Sequence, residues 1–299
     1  MRIAAHLGVK DEITLVEKTI AHLRAIGVDL IIAVDAYSTD GTADVLSAYR
    51  SDDDFWFVQM SDLEPDVEDK AWLRKNLELV QRANADWVIF VDADEYWLPA
   101  SGSLRDCSAL ASSDLLSVDR FNIALGMHGP VMPDELIPQK YDDLLLFVES
   151  IPDFRARLQA NPDTRWITNV PVPKVMARPE RIGVLTDGMH DAVAAADVSL
   201  RRTKPGDLLI AHLPFTTRAR FKGKLANARK LIAAHEYLGE HFAWHWRHWL
   251  TLAEEGRIDE EFDRQRLSAE AIAEFRAAGA IRSAAQVFAE RAREDRAGG

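Results

Sequence analysis

The sequence predicts a mixed α/β fold: a mostly parallel sheet flanked by helices, with a helical C-terminal extension. Three observations predict it. Apolar runs recur through the first third of the chain, at residues 3–9, 28–34, 55–60 and 87–91. Between them lie stretches whose apolar residues repeat every three or four positions, the helical period. After Thr217 prolines become scarce, and alanines and charges at helical spacing take over.

Each element has its own signal. Residues 3–9 form a short apolar strand. Residues 11–26 place Ile13, Val16, Ile20, Leu23 and Ile26 on one helical stripe, and Gly27 stops it. Residues 28–34 are almost continuously apolar, as in a parallel strand covered on both faces. Ser38-Thr39-Asp40-Gly41 reads as a turn, and residues 42–49 as a helix. A strand at 55–60 is followed by a helix at 67–83 with Trp72, Leu73, Leu77 and Val80 on its buried side. The strand at 87–91 runs straight into Asp92-Ala93-Asp94-Glu95. Strand and helix in alternation is the pattern of an open doubly wound sheet. Ligands bind such sheets beyond the carboxyl ends of the strands. Polar clusters sit at those ends: Lys10-Asp11-Glu12, then Asp35, then Asp92 and Asp94.

From about 114 to 214 the chain is broken by prolines into short strands and loops, which suits a wall around a site better than a core. The expected organisation is a catalytic domain over residues 1–215 and a helical region over 216–299, with a frayed tail after Glu290.

Composition excludes several classes. Acidic side chains outnumber basic ones by 48 to 36, a net charge of −12, which argues against a general nucleic-acid binder. The single cysteine, Cys107, rules out an internal disulfide framework and a cysteine-rich zinc site. No apolar run approaches the roughly 20 residues that span a bilayer. Charge arrives at Lys10-Asp11-Glu12 before a signal-peptide core could form. The expected location is the cytoplasm, with at most peripheral contact with a membrane.

Asp92-Ala93-Asp94 is the most informative segment. Two carboxylates flanking one small residue after a buried strand suit a hard divalent cation, Mg²⁺ or Mn²⁺. Such an ion bridges the phosphates of a nucleoside diphosphate and takes up charge as it leaves. The bland alternative is a solvated acidic turn, so the context matters. Ala85 to Trp97 resembles the metal-binding segment of family 2-type glycosyltransferases of the GT-A fold. Val9-Lys10-Asp11-Glu12 resembles the opening motif of that family. Ile31 to Thr42 resembles its second-strand motif, in which an acidic residue holds the nucleotide base. Trp72-Leu73-Arg74-Lys75-Asn76 resembles its helix with a basic residue and an asparagine near the nucleotide. Their shared order makes the resemblance more specific than any one motif.

The resemblance implies a nucleotide-diphosphate sugar donor, Mn²⁺ or Mg²⁺, and inverting transfer to the hydroxyl of a glycan or lipid-linked acceptor, in cell-surface or capsular glycan synthesis. Asp35 would meet the base or ribose, with Lys10 or Glu12 beside the same pocket. Arg74 would face phosphate, and Asn76 would lie near the nucleotide. Asp92 would meet the ribose, or the metal through water, and Asp94 would ligate the metal directly. One departure from the pattern is Ala36-Tyr37, where many members carry a second acidic residue or asparagine; it leaves the base contact to Asp35, with Tyr37 for stacking.

The resemblance fades beyond about residue 125. An inverting transfer needs a general base, and the loop around Gly188-Met189-His190-Asp191 offers Asp191 first and Asp187 second. His190 is an alternative donor to phosphate or acceptor. His212 ends an apolar strand just before Arg218, Arg220, Lys222 and Lys224. A late histidine that completes the metal shell, followed by cations for the diphosphate, is a GT-A pattern. His241, His245 and His248 share a helix face with Trp244, Trp246 and Trp249 nearby; docking on the core explains them better than metal binding. Two other functions compete: a non-catalytic nucleotide-sugar or glycan binder on the same fold, and an aspartate-based phosphotransferase with Asp92 as nucleophile.

Overall fold

A computed structural model describes residues 1–60, 71–161, 163–234, 239 and 243–298. In chain order the N-terminal elements are β1 (Ile3–Val9), α1 (Val16–Ala25), β2 (Leu30–Asp35), α2 (Thr42–Ser47), β3 (Phe55–Gln59), α3 (Ala71–Arg82), β4 (Trp87–Asp92) and β5 (Glu95–Pro99). The middle contains β6 (Leu115–Val118), β7 (Arg120–Ile123), β8 (Leu125–Gly126), β9 (Gly129–Pro130), β10 (Leu145–Phe147), α4 (Phe154–Ala160), β11 (Lys174–Ala177), β12 (Ile182–Leu185), β13 (Ala192–Ala194), β14 (Arg202–Thr203) and β15 (Leu208–His212). The chain ends with α5 (Arg218–Ala234), α6 (Trp244–Glu254), α7 (Ile258–Gln265), α8 (Ala269–Ala277), β16 (Ile281–Ser283) and α9 (Ala284–Gly298).

The fold is mixed α/β. Among the described residues one sheet has the order β14-β6-β11-β4-β1-β2-β3, and its β4-β1-β2-β3 half is parallel. A second sheet has the order β16-β10-β7-β15-β5. β1 shows how the first sheet is covered. Ile3, Ala5, Leu7 and Val9 join a core with Val16, Ile20 and Leu23 of α1. Ala4 faces the other way and joins Leu73, Leu77 and Val80 of α3. Alternate side chains of one strand thus serve two layers, and each buried Ile or Leu contributes about 1.5–3 kcal/mol. The second sheet is covered by Phe221, Trp249 and Phe262 of α5, α6 and α7 on one side and by Tyr141 and Val287 on the other.

Several elements differ from expectation. The first helix begins at Val16 rather than Asp11. Asp11 lies at φ 53°, and its carboxylate accepts from Thr39 N at 2.6 Å and Asn227 Nδ2 at 2.8 Å, so long-range polar contacts displace the first helical turns. Leu73, Leu77 and Val80 are buried on α3 as expected, whereas Trp72 is 36% exposed, one position off their i, i+4, i+7 stripe. Residues 67–70 of the expected helix lie outside the described residues. The tail is helical to Gly298, because Ala284 and Val287 are buried and Arg291 binds Asp119 across the packing. β16, hidden between Ala-rich helices, pairs antiparallel with β10.

Candidate active site

The two sheets meet at the acidic segment. Asp92 is the last residue of β4 in the first sheet, and Glu95 is the first of β5 in the second. The turn between them is held from below. Thr19 Oγ donates to the Ala93 carbonyl at 2.6 Å, and Leu213 N donates to the Asp94 carbonyl at 2.8 Å. Ala93 is buried, which explains the small residue between two acids. Glu95 is fully buried; it binds Arg120, lies 3.4 Å from Lys174 Nζ, and accepts from Asp92 N at 3.0 Å. Burial pushes its carboxyl up, against the pull of Lys174 and Arg120. Glu95 therefore braces the turn.

Asp92 and Asp94 occupy different environments. The Asp92 side chain is 52% exposed and accepts from Lys174 Nζ at 2.9 Å. Asp94 is buried and faces cations from α5: Arg220 Nη2 at 2.8 Å, and Lys224. Burial alone would raise the Asp94 carboxyl, but the charges of Lys224 and Arg220 hold it well below the usual carboxylate range. Arg220 also makes a two-pronged contact with Glu12, at 2.7 Å on each prong. Arg220 and Lys224 are i, i+4 and face inward, whereas Arg218 and Lys222 turn outward to Asp259 and Asp263. Of the cations expected at a diphosphate, the structure brings Arg220 and Lys224 to the acidic turn.

His212 ends β15 opposite Glu95 in the antiparallel register, and its Nε2 lies 3.8 Å from Asp94 Oδ2. Burial pushes this imidazole down to about 3, so it is neutral at pH 7. Its Nδ1 is 2.7 Å from Asn122 Oδ1.

Two strands from the acidic turn is the tip of β2. Val9 pairs with Asp35 and Gly8 with Asp92, so Asp35 and Asp92 stand two strands apart, roughly 10 Å at ordinary strand spacing. Gly8 lies on the strand between them, and a Cβ there would meet nothing within 4 Å. Asp35 is buried; its Oδ2 accepts from Ser38 N at 3.1 Å, and its Oδ1 has no partner among the described residues. Lys10 donates to the Tyr37 carbonyl, and Tyr37 is exposed at φ 59°. Asn76 is buried on α3 with Oδ1 unpartnered among the described residues, and Arg74 is exposed on the same helix.

The β12–β13 loop is arranged differently from the sequence reading. Asp187 and Asp191 are both exposed, and Asp191 is tied to Arg202 at 2.6 Å and to the Ala192 N–H at 2.8 Å. The structure does not bring either of them into the Asp94 cluster. His190 is the residue turned inward: Nδ1 lies 3.0 Å from the Pro173 carbonyl, and burial together with nearby Lys174 and Arg120 pushes the ring down to about 4. Sequence reasoning missed Asn122, Lys174 and Arg120, because nothing local marks a polar residue whose partner lies on another sheet.

The aromatic helix packs inward. Trp249 is buried among Trp166, Phe215 and Phe221 with ring centroids 5.1–5.7 Å apart. His245 lies 5.5 Å from the Trp166 and Trp249 rings; His241 lies outside the described residues. No helix among the described residues is long and apolar enough to cross a membrane.

No family model and no curated protein matches the chain. Among solved structures it is similar to residues 1–349 of Staphylococcus aureus TarS in complex with UDP-GlcNAc: 16% identity, a TM-score of 0.35, covering 68% of this chain and 59% of that one. It is also similar to Mycobacterium tuberculosis glucosyl-3-phosphoglycerate synthase in complex with Mn²⁺, UDP-glucose and phosphoglyceric acid: 18% identity, a TM-score of 0.34, covering 60% and 58%. The chain thus spans under two thirds of each of these structures, and the function is argued from the site's own residues.

Among the described residues no group of three or more His, Cys, Asp or Glu side chains is arranged to hold a metal ion. A neutral imidazole whose Nδ1 is already engaged presents Nε2 as a lone pair, and that lone pair faces a carboxylate oxygen. Two acceptors turned toward each other need a cation beside them, and Arg220 and Lys224 already supply it at the same Asp94 oxygen. Asp92, half exposed on the same turn, adds a further hard oxygen.

Proposed function

We propose that the protein is a glycosyltransferase that uses a nucleotide-diphosphate sugar and a divalent cation, Mn²⁺ or Mg²⁺. One observation carries the reading: Asp94 and His212 stand beside two cations on the turn that follows Asp92, and Asp92 is two strands, roughly 10 Å, from Asp35, whose buried Oδ1 has no partner among the described residues. That spacing suits a nucleoside diphosphate, with its base or ribose at Asp35 and its phosphates at the acidic turn. Asp94, His212 and Asp92 would hold the cation, which supplies charge neutralisation to the departing diphosphate.

The chain's own residues do the rest. Asp35 Oδ1 accepts from the base or ribose, beside Lys10 and Tyr37. Arg220 is fixed by Glu12, so it places a permanent positive charge behind Asp94. Lys224 is less buried than Arg220 and can turn from Asp94 to a phosphate oxygen. Lys174 fixes the outward pose of Asp92. The bond from the anomeric carbon to the phosphate oxygen breaks, the acceptor oxygen bonds to that carbon, and the nucleoside diphosphate leaves with the bond's electron pair. A base removes the hydroxyl proton; Asp191 and secondly Asp187 of the β12–β13 loop are the proposed groups, exposed to an incoming acceptor and outside the Asp94 cluster. The acceptor is a glycan or lipid-linked hydroxyl, and inversion follows from a single displacement.

The test is a panel of nucleotide sugars with Mn²⁺ and a range of acceptors, with nucleoside diphosphate release as the readout. Turnover is expected to need metal and to vanish in Asp94→Ala. Full turnover by that variant with a confirmed donor would refute the metal role. Binding without turnover across the panel would favour a non-catalytic binder, and a trapped aspartyl-phosphate on Asp92 would favour a phosphotransferase.

A further inference from the structure

Alternate residues of β1 point to opposite faces, and Ala4 packs with Leu73, Leu77 and Val80 of α3. His6 and Gly8 therefore face α3 as well. In register, His6 sits between Ile32 and Phe90, and Gly8 between Val34 and Asp92. His6 is 1% exposed, and its ring lies 5.8 Å from the Phe90 ring. Asn76 is buried on α3, three residues on from Leu73 and so on the same helix face. Burial pushes the His6 imidazole down, and the Asn76 side chain beside it pushes it back up. Even so, both His6 ring nitrogens and Asn76 Oδ1 have no hydrogen-bond partner among the described residues. Buried polar atoms are seldom left unpaired, so a cluster of three calls for a ligand group. The space next to them is open: no atom of the described residues lies within 4 Å of where a Gly8 Cβ would stand.

We propose that His6, with Asn76, reads a ribose hydroxyl of the bound nucleoside diphosphate and makes the site select ribonucleotides over deoxyribonucleotides. The inference rests on the reading of the site as one for a nucleoside diphosphate. With the base at Asp35 and the phosphates at the acidic turn, the ribose spans Gly8, the residue between them. An imidazole keeps at least one N–H in either protonation state, and a carboxamide oxygen only accepts. A hydroxyl both accepts and donates, so it satisfies the two together whichever ring nitrogen carries the hydrogen. A phosphate oxygen suits them less, because it has no hydrogen to give Asn76 Oδ1. His6 lies below the strand tips, outside every motif there.

Calorimetric titration of the intact protein with UDP, GDP, ADP and CDP, and with their 2′-deoxy and 3′-deoxy counterparts, tests it, with and without Mn²⁺. Wild type is expected to bind at least one ribonucleotide tighter by about tenfold or more than one of its deoxy counterparts, as a site built to bond a hydroxyl rejects an analogue without it. Equal affinity for the ribonucleotide and both deoxy forms would overturn the proposal without any variant. His6→Leu is expected to weaken ribonucleotide binding and leave the deoxy form unchanged, so that the ratio falls to about one. Asn76→Leu is expected to act in the same direction. A ratio that survives in His6→Leu would overturn the proposal. Urea denaturation separates a structural role: His6→Leu removes two unpaired buried nitrogens, so its midpoint is expected at or above that of wild type. A marked drop would show that His6 serves the fold instead. Failure of all four ribonucleotides to bind would refute the nucleoside diphosphate reading and the proposal with it; binding without ribose discrimination would refute the proposal alone.

Discussion

Arg220 is the residue on which the site's electrostatics turn. Its guanidinium serves Glu12 with two hydrogen bonds and Asp94 with a third, all in a buried setting. Removing it leaves two buried carboxylates facing Lys224 alone. Arg220→Leu is therefore expected to destabilise the fold by about 3–5 kcal/mol, read from the denaturation midpoint in urea. A change within error would show that the trio is not coupled. Lys224 differs, being partly exposed and free of any bidentate lock. Lys224→Met is expected to strengthen Mn²⁺ binding, by removing a competitor for Asp94, and to weaken nucleoside diphosphate binding; calorimetry reads both. Asp94 also makes stability depend on pH. Its folded carboxyl lies well below its unfolded range, so it stabilises the native state at neutral pH and loses that contribution as pH falls below about 4.

At the scale of elements, α1 shows how secondary structure serves the site. Thr19 of α1 holds the Ala93 carbonyl, and His22 one turn later bonds the Trp97 carbonyl of β5 at 2.8 Å. Thr19→Val keeps the shape and strands a buried carbonyl, so a loss of about 1–3 kcal/mol is expected, together with weaker metal binding if the turn loosens. Burial pushes His22 down to about 4. Unfolded histidine titrates near 6.5, so the unfolded chain binds a proton that the native chain refuses between about pH 6.5 and 4. Stability carried by neutral His22 is full above that window and is lost as pH falls through it. His22→Gln is expected to flatten the stability curve there by about one proton; an unchanged slope would contradict the assignment. The helix was legible from Val16 onward, because its stripe is set by burial. Its expected start at Asp11 failed for a reason no local window contains, namely the bonds from Asp11 to Thr39 and Asn227.

Across the molecule, legibility followed distance along the chain. The strands β1 to β4 and the acidic turn could be read because apolar runs and the Asp92-Ala93-Asp94 triplet are local patterns. The second sheet could not: β7, β10 and β16 are short, and their pairing partners lie far away in sequence. For that reason Asp35, Asp92 and Asp94 could be proposed from sequence, whereas Arg120, Asn122 and Lys174 join them only when the sheets close on the turn. The same closure draws His212 and α5 to the carboxylates from more than a hundred residues away. The central claim is that this convergence makes a cation site that carries a nucleoside diphosphate. Calorimetric titration with UDP, GDP, ADP and CDP, with and without Mn²⁺, tests it most directly. The account predicts binding of at least one of them that requires Mn²⁺ and disappears in both Asp94→Asn and His212→Leu; binding that is equally tight without metal, or in those variants, would contradict it.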